Sequence, residues 1–286
     1  MQLQNAKRSV AKIKIGLQGP SGGGKTYSAL LLAYGLCKDW SKIAVIDSEN
    51  KSSHLYSHLG KYQVLNLDAP YNPERYIQAI DVCLNASIEV IILDSITHEW
   101  EAILDIHSNM MGNSFTNWAK LTPRHNDFIQ KILQSPVHFI ATIRAKQDYI
   151  LSEKNGKQVP EKVGLKGITR EGMDYELTLV FEIDIKHHAH VSKDRTRLFT
   201  NTPEFIITEK TGECILQWCN QTITADEVKA KIEACITLTE LTGIFNTYPE
   251  YQTSLLSSFS AKKTALNNNL ITTKIHINGN NGNNTK

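Results

Sequence analysis

The octapeptide Gly19-Pro20-Ser21-Gly22-Gly23-Gly24-Lys25-Thr26 restricts the fold of this chain more than any other stretch. It satisfies G-x-x-x-x-G-K-[ST], a loop whose backbone N–H groups surround phosphate. Its flanks are the ones such a loop needs. Ile13, Ile15 and Leu17 alternate before it as in a strand, and residues 27–37 (YSALLLAYGLC) continue as an apolar helix. Unpaired N–H groups at a helix start, together with the helix dipole, favour an anion there. Residues 19–27 are therefore expected to hold ATP, with Lys25 reaching the β- and γ-phosphates and Thr26 ligating Mg²⁺.

Strand-like and helix-like stretches keep alternating past the loop. Lys42-Ile43-Ala44-Val45-Ile46-Asp47 is a short β-branched run, and Val64-Leu65-Asn66-Leu67 is another. A helix is expected over about residues 73–86. Glu89-Val90-Ile91-Ile92-Leu93-Asp94 is continuously apolar, as in a parallel strand covered on both faces. A helix over 117–133 and the strand Val137-His138-Phe139-Ile140-Ala141-Thr142 complete the series. This order predicts an α/β fold, a mostly parallel sheet with helices on both faces.

The character then changes. Residues 145–171 are polar and lysine-rich, with Asn155-Gly156 as a hairpin turn signal. Residues 177–185 and 189–192 read as antiparallel strands joined at Lys186-His187-His188, and Phe205-Ile206-Ile207 with Cys214-Ile215-Leu216 as a last edge hairpin around Thr211-Gly212. After Gln221 the strands stop. Thr224 reads as an N-cap followed by Asp226 and Glu227, opening a helix that ends near Cys235. Two more helices are expected over 239–248 and 251–266, and an Asn/Gly-rich disordered tail from Asn267. The expected organisation is a core over 1–220, a small helical region over 221–266 and a tail over 267–286.

Composition narrows the function. The net charge of +2 over 286 residues gives no general basic field, so any contact with DNA must come from a local patch. Five cysteines make an odd count without a CxxC pair and read as reduced thiols of a cytoplasmic protein. Residues 1–10 lack the apolar segment of a signal peptide, and no apolar run approaches the roughly 18 residues a membrane span needs.

A P-loop needs a second carboxylate to organise Mg²⁺, and Asp94 ends the apolar strand in that role. Hydrolysis also needs a group that takes a proton from the attacking water. Ser95, not a glutamate, follows Asp94. The candidate base is instead Glu49 in Ile46-Asp47-Ser48-Glu49, at a strand end that opens on the same crevice as the P-loop.

These residues resemble the RecA/Rad51-like recombinase ATPase core. That resemblance implies a RecA-like sheet with an antiparallel C-terminal extension, Glu49 as catalytic glutamate and Tyr56, seven residues on, as the aromatic stacking on adenine. Its second magnesium-organising strand ends in Asp-Ser, as Asp94-Ser95 does. Phe139-Ile140-Ala141-Thr142-Ile143-Arg144 is similar to the family's sensor strand, with Thr142 where the bacterial recombinase has glutamine. The lysine-rich stretch 145–171 stands where the family carries its second DNA-binding loop. Lys193-Asp194-Arg195 resembles the pair inserted into a neighbouring subunit's γ-phosphate site, which implies a ring or filament of identical subunits. A closer resemblance is to phage- and prophage-type AAA/RecA-like ATP-binding proteins of the single-strand annealing and recombination group. It is carried by Arg144-Ala145-Lys146, by Val163-Gly164-Leu165-Lys166 leading to Arg170-Glu171-Gly172-Met173-Asp174-Tyr175-Glu176, and by Val191-Ser192-Lys193-Asp194-Arg195.

Arg144, Lys146, Lys154, Lys157, Lys162, Lys166 and Arg170 are the candidate ligands of single-stranded DNA, with Tyr149 as a stacking group. Glu153, Glu161 and Glu171 dilute that charge, and a solvated hairpin is the competing reading. His187, His188 and His190 suggest a metal at first glance, but no cysteine or carboxylate at ligand spacing accompanies them. Three functions stay open at this level. One is a DNA-dependent ATPase of recombination or replication. The second is a P-loop kinase for a small acceptor, and the third a nucleotide-gated loader that recruits a replication protein.

Overall fold

A computed structural model describes residues 12–154, 157–170, 172–220 and 225–279 of the chain. The chain divides into two compact units, Met1–Asn220 and Gln221–Lys286. The first unit is built on one sheet of eight strands: β1 (Lys14–Gly19), β2 (Ile43–Asp47), β3 (Gln63–Asn66), β4 (Val90–Asp94), β5 (His138–Lys154), β6 (Lys157–Gly167), β7 (Leu179–Ile183) and β8 (Ala189–Asp194). Their order is β3-β2-β4-β5-β1-β7-β8, with β6 paired to β5. β1 runs parallel to β5 and β7, and β2 and β4 run parallel to their neighbours. β6 and β8 are antiparallel. The parallel strands therefore end along one edge, where Asp47 pairs in register with Asp94 and β1 leads into the glycine loop.

Helices cover both faces. α1 (Lys25–Cys37) and α6 (Glu209–Asn220) share a core with Ile15, Leu17, Val90, Ile92 and Phe181. α2 (Pro73–Asn85) and α4 (Ser114–Gln134) pack with Ile46, Ile91, Leu93 and Phe139 on the other face. Successive β4 residues thus enter opposite cores, which is why that strand reads as continuously apolar. α3 (Thr97–Asn109), which the sequence reading passed over, connects β4 to α4. α5 (Met173–Glu176) is a single turn before β7.

The expected edge hairpin over residues 205–216 is not formed. Phe205 makes one bridge to Ala189, and the chain from Glu209 on becomes α6. Thr211, Gly212, Ile215 and Cys219 are its buried residues, a helical spacing that the short run Cys214-Ile215-Leu216 concealed. The turn signal Thr211-Gly212 has a different cause. A Cβ on Gly212 would lie 2.3 Å from the Leu32 carbonyl oxygen, and one on Gly35 would lie 2.2 Å from that of Glu209. α1 and α6 touch backbone to backbone, and glycine is required on both.

The lysine-rich stretch forms the long antiparallel pair β5–β6; its turn residues 155–156 lie outside the described residues. The same holds for residues 1–10 and for Thr224. The second unit contains α7 (Ala225–Ala234), α8 (Leu238–Thr247) and α9 (Leu256–Gly279) around Val228, Ile232, Leu241 and Phe259. Thr237 and Glu240 close a capping box at the start of α8. α9 extends to Gly279, into the stretch expected to be disordered. Among the described residues no helix is long and apolar enough to cross a membrane.

Candidate nucleotide site

The glycine loop is shaped by its neighbours. Gly22 and Gly24 have φ of 78° and 85°, the left-handed region that favours glycine. At Gly19 a Cβ would meet the Ile183 carbonyl oxygen at 2.5 Å, so the end of β7 leaves no room for a side chain. Lys25 folds back and donates to the carbonyl oxygens of Gly19 (3.0 Å) and Pro20 (2.8 Å). Burial pulls its pKa down, and the nearby Asp94 and Glu49 charges oppose that shift.

Asp94 is 2% exposed, and the side-chain partners it finds are two neutral hydroxyls. Thr26 Oγ1 donates to Oδ2 at 2.8 Å and Thr142 Oγ1 to Oδ1 at 2.6 Å. Burial raises the carboxyl pKa, with the two hydroxyl bonds opposing and the Glu49 and Asp47 charges adding to it. A buried carboxylate in this state is stabilised by a cation. The hydroxyl and carboxylate oxygens that converge here are the hard donors Mg²⁺ prefers. Thr26 and Asp94 therefore fit the metal role. Thr142 serves first to orient Asp94.

Glu49 follows β2 on a loop that Asp47 holds. Asp47 Oδ1 accepts from the Glu49 N–H (2.8 Å), and Oδ2 from the N–H (2.9 Å) and hydroxyl (2.6 Å) of Ser53. Arg144 forks the Glu49 carboxylate: Nε donates to Oε1 at 2.8 Å, and a terminal nitrogen makes a short bond to Oε2. Burial works to raise the Glu49 pKa, but the Arg144 bonds and charge outweigh it and hold the carboxyl below its ordinary range. The backbone N–H of Arg144 donates to Thr97 Oγ1 at 2.9 Å. Candidate base, Arg144 and P-loop line one cavity of about 790 Å³, a size suited to a nucleotide.

Residues 11–231 match the AAA_24 family, an AAA domain. The chain belongs to that family. It is a P-loop ATPase domain of α/β architecture, a mostly parallel sheet flanked by helices with antiparallel strands at its C-terminal side. Among solved structures, this AAA_24 chain is similar to a KaiC-like protein from the hyperthermophilic archaeon Pyrococcus horikoshii OT3. The identity is 15% and the TM-score 0.37, over 64% of this chain and 80% of that one. No curated protein matches.

The AAA_24 chain brings further residues to the cavity. Tyr56 ends the 3₁₀ turn Ser52–Tyr56 and meets Tyr27 edge-on, with centroids 5.6 Å apart. Both line the cavity with Ile206 and Ile207, an apolar wall of the kind a base requires. The sequence reading missed His187 here. The hairpin between β7 and β8 is shaped by Asp184 Oδ1, which accepts from the N–H groups of Lys186 and His188 at 2.8 Å each. His187, at φ 68°, thereby lies on the glycine loop, its Nδ1 donating to the Gly23 carbonyl at 3.0 Å. The three histidines do not converge: His188 stands 3.8 Å from Asp184 and His190 3.3 Å from Glu182. Only the hairpin geometry brings His187 to the loop; its Lys-His-His context carried no such signal.

Other candidates lie elsewhere. β8 runs against β7, so its end, where Arg195 N–H bonds the Thr178 carbonyl, is at the sheet edge opposite the glycine loop. Lys193 Nζ and Arg195 both donate to the Tyr175 carbonyl, at 2.6 and 2.7 Å, away from the chain's own cavity. Arg170 bonds Asn126 and Thr122 on α4 at 3.3 Å each. Lys146 is exposed on β5. Lys154, Lys157, Lys162 and Lys166 stand on β5 and β6, and their side chains, like that of Tyr149, lie outside the described residues.

Proposed function

We propose that this chain hydrolyses Mg-ATP and is stimulated by single-stranded DNA, in recombination, annealing or replication of the phage type. The observation that carries the reading is the position of Arg144. Its guanidinium forks Glu49, while its carbonyl accepts from Ile168 N–H at 2.7 Å, at the root of the β5–β6 hairpin. A nucleic-acid strand drawn to the hairpin's lysines would shift that root, and with it the fork.

In the reaction, water attacks the γ-phosphorus, the bond to the ADP oxygen breaks, and the water's proton passes to Glu49. Lys25 exchanges its two carbonyl partners for phosphate oxygens. Mg²⁺ held by Thr26 and Asp94 would supply neutralisation of phosphate charge. Arg144 leaves Glu49 for the phosphate, which frees both carboxylate oxygens. Lys193 and Arg195 would reach only a neighbouring subunit's site, so their part in catalysis requires a ring or filament.

Steady-state ATP hydrolysis by the wild type and Glu49→Gln, with and without single-stranded DNA at low salt, tests the reading. DNA stimulation that disappears in the variant supports it. Tight ATP binding with a rate indifferent to DNA would instead favour a nucleotide-gated loader acting through the C-terminal helices.

A further inference from the structure

His98, in the first turn of α3, faces Glu49 and has no part in the chemistry above. Its Nδ1 lies 2.8 Å from Ser48 Oγ, a buried hydroxyl with several partners. Ser48 Oγ accepts the Ser95 N–H at 3.0 Å. Tyr76 lies 3.1 Å from it but has a closer acceptor, the Ser95 carbonyl, at 2.8 Å. For the Ser48 proton, His98 Nδ1 is closer than the Asp94 and Ser95 carbonyl oxygens, both at 3.2 Å. Ser48 thus donates to Nδ1, and the ring proton sits on Nε2. Tyr71 stacks on the imidazole with centroids 4.9 Å apart and fixes its plane. Nε2 then points at Glu49 Oε1 from 3.9 Å, just beyond hydrogen-bond range.

We infer that His98 is the positioning residue that takes over Glu49 when Arg144 turns to phosphate. The inference rests on the hydrolysis reading above. While the guanidinium forks it, Glu49 is a weakened base with one lone-pair direction on each oxygen already taken. Once the fork opens, the carboxylate loses both guanidinium bonds and keeps only the Ser95 hydroxyl and the His98 ring nearby to aim it. A neutral, immobilised N–H on one oxygen restores the aim, leaves the other oxygen for water, and lowers basicity less than a cation does. The charged groups around the ring are Glu49, Arg144, Glu101 and Asp47; burial holds the imidazole pKa below its usual value, so the ring stays a neutral donor.

The test compares His98→Ala and His98→Gln with wild type in kcat, KM and fluorescent-ATP affinity. The expected result is a kcat about tenfold lower in His98→Ala at an ATP affinity within about twofold of wild type. His98→Gln, which retains an N–H donor at similar reach, recovers most of that loss. In the Glu49→Gln background, His98→Ala adds no further loss, because there is no longer a base to aim. A His98→Ala protein at the wild-type rate overturns the inference. So does an equal loss in both His98 variants with falling ATP affinity and thermal stability, which would make the residue structural. A wild-type chain that binds ATP but never hydrolyses it would remove the hydrolysis reading itself, and the inference with it.

Discussion

Glu49 and Arg144 form a two-point ion pair that joins the end of β2 to the strand β5, side chains 95 positions apart in sequence. The geometry matters because a carboxylate bonded on both oxygens to a guanidinium is a poorer acceptor for the proton of an attacking water. Beside this pair, Lys25 is turned onto the loop's own carbonyls.

Replacing the candidate base should separate binding from turnover. Glu49→Gln is expected to lower kcat by at least about a hundredfold, the range removed with a general base. ATP affinity should change little, because Glu49 does not bind the phosphates. Steady-state hydrolysis and a nucleotide titration check both halves.

Asp94→Asn should weaken the dependence of nucleotide affinity on Mg²⁺. The neutral amide removes the buried charge that calls for a cation. Titrations with and without Mg²⁺ should differ strongly in the wild type and much less in the variant.

The other end of the sheet predicts a pH dependence of stability. His138 is buried, its Nδ1 accepts the Ile13 N–H at 3.1 Å, and its pKa is lowered to about 4 by burial and then by the Lys12 and Lys14 charges. The unfolded chain takes up this proton near the ordinary value of 6.5, so it binds more protons than the folded chain between there and about 4. Stability from this group is complete above pH 6.5 and falls by about 3 kcal/mol as pH drops towards 4. Denaturant titrations across that window should show the slope, and His138→Asn, whose carbonyl can still accept from Ile13, should flatten it.

Gly35→Ala should destabilise the first unit by about 1–3 kcal/mol or more, since the new methyl strikes the α6 backbone. Gly243→Ala, on α8 with nothing within 4 Å of the added carbon, should be neutral or stabilising by up to about 1 kcal/mol. Thermal unfolding of the two variants distinguishes a packing glycine from an incidental one.

The Glu49 pair adds an acid-side effect with the same sign logic. Its folded pKa is depressed, so its contribution is present above the unfolded carboxylate pKa and is lost as pH falls through the lower folded value. Arg144→Ala should remove that part of the acid dependence, as read from unfolding curves below neutral pH.

The sequence alone determined the phosphate loop, its strand and helix, and the apolar strand ending in Asp94. These rest on local rules: glycine where positive φ or close approach is needed, alternation or continuous apolarity where a strand is buried. It also placed Glu49 and Asp94 on one crevice, because parallel strands end together. Tertiary structure alone decided the partners. Nothing local marks Arg144 as the group that forks Glu49, His98 as its neighbour, or His187 as a contact of the glycine loop. Each depends on which strands lie side by side and on the direction of a hairpin. The same reason turned Cys214-Ile215-Leu216 from an expected strand into part of the helix Glu209–Asn220, since burial against Gly35 outweighs the short-range preference of three residues. It also placed Lys193 and Arg195 at the sheet edge opposite the chain's own loop, because β8 runs antiparallel to β7.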